Sequence, residues 1–315
     1  GTIAANSSCT VSVRVTSTEP GSYLNSTGPV TTGNAGTGSA ATATLSVGSS
    51  SSGSFNAFEA STAAGSITGV IRTKVAASAF GVDVVALNSS GTAVETAFAG
   101  DVRLELVDAS SAANCVAYAP IHNLGMLTFA VADNGRKSFA GISEPEAWPN
   151  ARIRMSYPAI GTPTVITCST DAFAIRPASF GSVAASDADS MTAGSARTLD
   201  NTAASGGSVH RAGRPFRIVA TARNATGAAT ANYAGSPVPS VTACVLPGTG
   251  CTPGAVTAGT WSAASGTVTT SGARYSEVGA FAMKLVDTGF AGVDAADGSS
   301  AAEMAIESDA VNVGR

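Results

Sequence analysis

Apolar and polar residues alternate with a period of two along much of this chain. Residues 10–16 place a valine at every second position, and residues 102–107 alternate in the same way. Such alternation is typical of a β-strand that buries one face and exposes the other. Similar segments lie at residues 43–47, 151–155 and 280–286. No stretch of twelve residues carries an apolar stripe of helical period with helix caps at both ends.

Turn signals separate these alternating segments. They include Glu19-Pro20-Gly21, the polar run at 88–91 and Asp133-Asn134-Gly135. An Asn-Gly pair favours a tight hairpin because both residues tolerate a positive φ. Short strands broken regularly by turns are typical of β-sandwiches. The sequence therefore predicts an all-β fold of tandem immunoglobulin-like β-sandwich domains.

An internal repeat supports the tandem arrangement. Residues 79–91 match residues 215–227, and in both copies a phenylalanine is followed by an asparagine eight positions later, Asn88 or Asn224. Each copy continues into an aromatic-Ala-Gly step, at 98–100 and at 233–235. One copy in each of two homologous domains explains this pattern.

The predicted organisation has four parts. Residues 1–48 form the C-terminal part of an immunoglobulin-like repeat, and residues 49–54 form a Ser/Gly linker. Residues 55–175 form a β-sandwich domain, and residues 176–315 form a second, homologous one. The first part is too short to build a core of its own, so we expect it to complete a domain that starts upstream.

Composition narrows the classes of function. Ala, Ser, Thr and Gly make up more than half of the 315 residues, and charged residues make up 12%. A mean hydropathy of +0.23 argues against disorder, and a net charge of −4 argues against nucleic-acid binding. The sequence contains no apolar run of about 18 residues, which is the length that a membrane-spanning helix needs. With two histidines and scattered carboxylates, we do not expect an enzyme.

The five cysteines suggest disulfides. Cys115 and Cys168 fall in one predicted domain, while Cys244 and Cys251 enclose a Pro/Gly turn. Their spacing does not fit a zinc site. We expect these two pairs to be bonded, and Cys9 to be unpaired or bonded to a partner upstream. Disulfides in a chain of low charge fit an extracytoplasmic protein, and the alternative is a set of buried thiols in a cytosolic protein.

One segment is a candidate ligand site. Trp148 lies between two prolines, close to Glu144 and Glu146. This arrangement fits an exposed aromatic platform for sugar stacking beside paired carboxylates. The alternative is a rigid proline-rich turn with a packed tryptophan. Trp261 is the other tryptophan that we consider for sugar contact.

A second candidate is a calcium site at Asp287, Asp294 and Asp297. Ca²⁺ takes six to eight oxygen ligands, and loops between sandwich strands can supply them. The cluster lacks the twelve-residue EF-hand pattern. Ordinary turns capped by aspartate explain the same residues, and we expect no other cofactor.

Several segments carry a resemblance to a known family. They are residues 80–108 with Cys115, 168–177 (Cys-Ser-Thr-Asp-Ala-Phe-Ala-Ile-Arg-Pro), 215–224, 232–235, and 275–279 with 294–298. With them, residues 55–313 resemble the tandem region of MshQ-like proteins, which are encoded with the mannose-sensitive haemagglutinin type IV pilus of proteobacteria. Residues 3–23 resemble the end of an immunoglobulin-like repeat of large bacterial envelope proteins.

This resemblance implies a large secreted protein at the cell surface, associated with a pilus or its tip. It supplies no catalytic residues. We therefore expect a structural or adhesive segment that contacts other copies of itself or pilus and surface proteins. The alternative is a carbohydrate-binding module of an adhesin, whose partners would be host or surface glycans. We expect neither a nucleic-acid partner nor a membrane span.

Overall fold

The computed structural model describes residues 4, 7–8, 10, 12–17, 21–33, 36–47, 52–187, 197–205 and 210–314. Cys9 lies outside the described residues. Nearly all the regular structure is β, which confirms the predicted fold class. One short helix, α1 (Ala301–Met304), and 3-10 turns at Cys115–Ala117, Val131–Asp133 and Gly292–Ala296 complete it. Within the described ranges, no helix has the length and apolarity needed to cross a membrane.

The strands fall into three groups along the chain. The first group is β1 (Gly21–Ser26), β2 (Thr31–Thr32), β3 (Gly36–Thr37) and β4 (Thr42–Val47). The second is β5 (Ser54–Phe58), β6 (Lys74–Val75), β7 (Phe80–Leu87), β8 (Gly100–Asp108), β9 (Ala119–Phe129), β10 (Arg136–Ile142), β11 (Trp148–Tyr157), β12 (Val165–Cys168) and β13 (Phe173–Arg176). The third is β14 (Ser179–Asp187), β15 (Arg197–Thr198), β16 (Pro215–Arg223), β17 (Val238–Leu246), β18 (Val256–Thr257), β19 (Ser262–Ala264), β20 (Thr267–Tyr275), β21 (Ala280–Asp287), β22 (Ile306–Ser308) and β23 (Val311–Val313).

The second group folds into a two-layer sandwich, called here the first sandwich (residues 54–176). One sheet has the order β10-β7-β5, and the other has the order β6-β13-β11-β8-β9. Their inner faces share one hydrophobic core, to which β7 contributes Val82 and Val84 and β8 contributes Leu104 and Leu106. The apolar residues of the alternating pattern at 102–107 therefore form the buried face of β8, a central strand of its sheet.

The third group forms the second sandwich (residues 179–313). Its strands follow one hydrogen-bonded path, β17-β21-β22-β14-β16-β20-β18. The path turns back on itself, so that Phe216 on β16 and Met283 on β21 belong to the same buried core. Strand β14 pairs parallel with β22, as β13 pairs parallel with β6 in the first sandwich. Each sandwich thus contains one parallel pair among its antiparallel strands.

The internal repeat occupies equivalent places in the two sandwiches. Strand β7 carries the first copy and β16 the second. Phe98 and Tyr233, the repeated aromatic residues, are 0% and 1% exposed. Phe98 packs against Tyr157, and Tyr233 packs against Phe290 while its hydroxyl donates to Asp287 Oδ2 at 2.5 Å. Both copies therefore keep an aromatic contact at this position, and the second adds a buried hydrogen bond.

Residues 21–47 differ from the sandwiches. Strand β1 pairs with β4, and β2 pairs with β3. Tyr23 and Leu24 are exposed, and none of the described residues before Ser52 belongs to a buried core.

Each sandwich contains a disulfide within its own fold. Cys115 is bonded to Cys168 in the first sandwich. Cys244 is bonded to Cys251 in the second, where the bridge closes the loop after β17. Each bridge connects two segments of the same sandwich, and neither links the two sandwiches.

We predict that the two disulfides contribute unequally to stability because they close loops of different length. In the chain-entropy relation, a loop of 53 residues contributes about 4 kcal/mol and a loop of seven about 2.5 kcal/mol. Replacing Cys115 and Cys168 by alanine should therefore cost more than replacing Cys244 and Cys251. Urea unfolding followed by tryptophan fluorescence measures both losses, and equal losses would contradict the prediction.

Candidate functional site

The two sandwiches meet at a junction that contains most of the residues singled out in the sequence. Strand β13 ends at Arg176 and β14 begins at Ser179, so Pro177 and Ala178 alone connect the sandwiches. The Arg176 guanidinium donates to the carbonyl oxygens of Pro177 and, across the junction, Glu303. Burial lowers the pKa of Arg176, and the nearby Glu303 opposes this shift.

On one side of the junction, a side-chain amide pairs with a peptide group. The Ala147 amide donates to Asn232 Oδ1 at 2.8 Å, and Asn232 Nδ2 donates to the Ala147 carbonyl. Asn232 thus bonds to the loop between β10 and β11 as a neighbouring strand would. Ala147 is 1% exposed and packs into the core of the second sandwich. A loop of the first sandwich is therefore inserted into the second.

Asn224 joins the same loop while it closes its own turn. Its Oδ1 accepts from the amides of Thr226 and Ala228 at 3.1 Å each. Its Nδ2 donates to the Pro145 carbonyl at 3.2 Å. Beside it, the Ala225 amide donates to the Ala76 carbonyl at 2.9 Å. The turn after β16 is thus both a local cap and a contact between sandwiches.

On the other side, the second sandwich inserts a carboxylate into the first. Asp294 lies in the 3-10 turn Gly292–Ala296 and is fully buried. It accepts hydrogen bonds from the Thr73 hydroxyl and from the Ala174 amide, the latter at 3.1 Å to Oδ2. The Thr73 amide donates to Ser299 Oγ at 3.4 Å.

The carboxylates on this side lie close together, and two of them have raised pKa values. The pKa of Asp294 is raised to about 6, mainly because the carboxyl is buried; the bonds from Thr73 and Ala174 oppose this shift, and the neighbouring Asp297 and Asp171 add to it. Burial also raises the pKa of Asp171, whose Oδ2 accepts from the Ile71 amide at 2.6 Å. The Asp297 Oδ2 atom is buried and has no hydrogen-bond partner in the described part of the chain.

The predicted calcium ligands do not act together in this arrangement. Asp287 bonds to Tyr233 and caps the turn at Gly289 and Phe290, whereas Asp294 bonds across the junction. Among the residues that the structure describes, no group of three or more His, Cys, Asp or Glu side chains is arranged to hold a metal ion. Calcium binding by Asp287, Asp294 and Asp297 stays a prediction.

The predicted ligand residues organise the loop that docks. Glu144 is buried, and its Oε1 accepts from the Glu146 amide at 3.1 Å and from Trp148 Nε1 at 3.4 Å. The Glu146 carboxylate accepts from the Asn232 amide at 3.3 Å. Trp148 is partly buried and packs against the core of the first sandwich. Sugar stacking on Trp148 stays a prediction, and the bonds described here give these residues a structural role.

Trp261 lies elsewhere, on the second sandwich. It packs partly against the core and borders a groove of about 330 Å³ with Pro237, Val238 and Val256. The groove lies between β17 and β18, the two ends of the hydrogen-bonded path.

Sequence reasoning alone missed Asn232, Ala147 and Thr73 as junction residues. The internal repeat contains a signal for one of them. Ala97 precedes the aromatic residue in the first copy, whereas Asn232 precedes it in the second. A polar residue at only one of two equivalent positions marks a contact that only one sandwich makes.

Comparisons with known proteins add a family match at one end. The family model of a domain of unknown function (DUF7933) matches residues 1–47, inside the predicted first part. No curated protein sequence matches the chain. Among solved structures, FdeC, described as a broadly conserved Escherichia coli adhesin, is similar with 12% identity and a TM-score of 0.33, and the alignment covers 86% of this chain and 82% of that one.

Asp294→Asn should remove a pH dependence from the junction. A folded-state pKa near 6, above the unfolded value, means that protonated Asp294 stabilises the folded protein below about pH 4 and that this stabilisation is lost as pH rises through 6. We expect the asparagine variant to gain stability relative to the parent protein by about 1–3 kcal/mol from pH 4 to 7.5. Urea unfolding of both proteins at each pH measures this gain. A difference that does not change with pH would contradict the assignment.

Asn224→Ala should be more costly than Asn88→Ala, its matched control. Both asparagines cap the turn that follows a repeat strand, since Asn88 Oδ1 accepts from the Thr92 amide at 3.0 Å. Only Asn224 also bonds across the junction. Removing that bond leaves the Pro145 carbonyl without this donor, and we expect an additional loss of about 1 kcal/mol. Chemical unfolding of the two variants measures the difference, and equal losses would show that the cross-junction bond contributes nothing.

Proposed function

We propose that this chain is a structural and adhesive segment of an extracellular bacterial surface protein, associated with a pilus or filament as in the MshQ-like proteins it resembles. The observation that carries this proposal is the junction. Two sandwiches are connected by only Pro177 and Ala178 and bonded on both sides of that connection. Such a unit can act as a stiff spacer.

The junction explains why the spacer is stiff. Neighbouring domains in one chain move relative to each other by default, unless their interface is large and hydrophobic. Here the first sandwich places Ala147 in the core of the second, and the second places Asp294 among buried groups of the first. Bending would withdraw an apolar residue from the core and expose buried polar groups without partners.

The disulfides support an extracellular location. A bridge within each sandwich fits an oxidising compartment. Low charge and small side chains fit thin sandwiches whose edges can pair with neighbouring subunits. These features favour contact with other copies or with pilus and surface proteins.

Solution scattering tests the stiff spacer. We expect a single narrow distribution of interatomic distances for the parent protein, and a broader one with a larger radius of gyration for the Asn232→Ala/Asp294→Ala double variant. Asn88→Ala, which changes a turn outside the junction, is the control and should match the parent. Identical scattering from parent and double variant, with both folded by circular dichroism, would refute the spacer. Immunogold labelling of intact cells with antibodies to this segment tests its surface location.

The Trp261 groove favours carbohydrate binding as a second candidate function. A tryptophan beside an open groove can stack on a sugar ring while polar groups at the rim bind its hydroxyls. A glycan array with the parent protein, Trp261→Ala and Trp148→Ala separates the two tryptophans. Binding lost only with Trp261→Ala would favour this groove, and an array without signal would count against carbohydrate binding.

A further inference from the structure

Most of the parts that dock at the junction occur twice in this chain, and the junction uses one of each. The exception is the inserted Ala147, whose counterpart Ala280 begins β21 and is buried in its own sandwich. On the first sandwich, these parts are the turn at 75–78 and the loop at 143–147. On the second sandwich, the receiving part is the turn at 224–227. The internal repeat places a second receiving turn at 88–91, at the opposite end of the first sandwich.

The far end of the second sandwich, called here the far pole, contains the second docking turn. Residues 211–214 form the same turn as residues 75–78: Ser78 donates to the Val75 carbonyl, and Arg214 donates to the Arg211 carbonyl. The third residue of each turn has a left-handed backbone, with φ of 63° at Ala77 and 72° at Gly213. The second residue of both turns is alanine, Ala76 or Ala212.

The docking loop is repeated beside that turn. The segments 144–148 and 277–281 share the pattern Glu-x-x-Ala-aromatic. In each sandwich the left-handed residue of the turn donates at 2.7 Å to a carbonyl near this segment, from Ala77 to Glu144, the first residue of the pattern, and from Gly213 to Tyr275, two residues before it. Val278 occupies the position of Pro145 and is 65% exposed.

The receiving turn of the first sandwich, called here the near pole (residues 88–91), matches the turn at 224–227. Asn88 caps it as Asn224 caps the other. The chain enters both sandwiches by the same bond, from the Gly53 amide to the Leu87 carbonyl and from the Ala178 amide to the Arg223 carbonyl. In the described part of the chain, Asn88 Nδ2, the Ser89 amide and the Ala212 carbonyl have no hydrogen-bond partner.

We propose that the far pole of one chain binds the near pole of a second copy of this chain, in a head-to-tail contact that repeats the internal junction. The occupant follows from continuity with that junction, in which Ala225, the equivalent of Ser89, donates to Ala76, the equivalent of Ala212. Because the two poles are different surfaces, each added copy presents a new far pole, and the contact generates an open chain unless the rotation between copies closes a ring.

The contact is weaker than the junction that it repeats. Ala97 stands in place of Asn232, so the pairing of a side-chain amide with the loop peptide is missing. No covalent connector raises the effective concentration of the partners. We therefore expect the contact to be transient and to form only at high protein concentration.

A cysteine trap tests the proposal on the full chain. The parent for this experiment carries Cys9→Ser, so that only the introduced cysteines are free. Ser89→Cys and Val278→Cys are made as separate proteins, mixed and oxidised, and we expect a disulfide-linked dimer. The control replaces Val278→Cys with Val238→Cys, which is equally exposed at 65% but lies at the junction end of the second sandwich. A chain that carries both Ser89→Cys and Val278→Cys should give a ladder of oligomers.

Sedimentation velocity gives an independent readout without cysteines. For the parent protein, we expect the weight-average mass to rise with concentration. For Val278→Glu, we expect it to stay at the mass of the monomer. Equal trapping by Val278→Cys and Val238→Cys, or a constant monomer mass up to about 1 mM, would overturn the proposal. This proposal extends the proposed spacer function, but the scattering experiment on monomers tests stiffness separately, so the two can fail independently.

Discussion

A peptide group taken out of water must find a hydrogen-bond partner inside the protein, and this requirement shapes the junction between the sandwiches. Ala147 is buried in a core that belongs to the other sandwich. Its amide and carbonyl are both bonded to the side chain of Asn232, which supplies a donor and an acceptor. The apolar contact and the amide pairing depend on each other, because neither forms without the approach of the two loops.

Small side chains make this close approach feasible. The residues whose backbone groups bond across the junction include Ala76, Ala147, Ala174 and Ala225. A larger side chain at such a position would separate the two backbones and lengthen these bonds beyond their useful range. The abundance of alanine in the sequence, which carries no chemistry of its own, therefore has a direct consequence for how the sandwiches are fastened.

The fold could be predicted from local patterns, and the junction could not. The alternation at residues 102–107 predicts which face of β8 is buried, because successive side chains of a strand point to opposite faces and only one face packs against the core. The role of Asp294 depends on Thr73, which is 221 residues away in the sequence. Nothing near Asp294 specifies that partner, so the acidic pattern suggested calcium, whereas the structure shows bonds to a hydroxyl and an amide. The same holds for Glu144 and Trp148, which are polar and aromatic groups in a loop whose partner lies in the other sandwich.

The internal repeat shows how two copies of one fold come to make different contacts. Phe98 makes a ring contact with Tyr157, and Tyr233 makes one with Phe290 and adds a hydrogen bond to Asp287, so the core accepts a polar group in one copy. At the surface the same divergence separates Ala97 from Asn232. Because the asparagine is present in only one copy, the junction has a pairing of a side-chain amide with a loop peptide that the pole beside Ala97 cannot form, and the two ends of the first sandwich therefore differ.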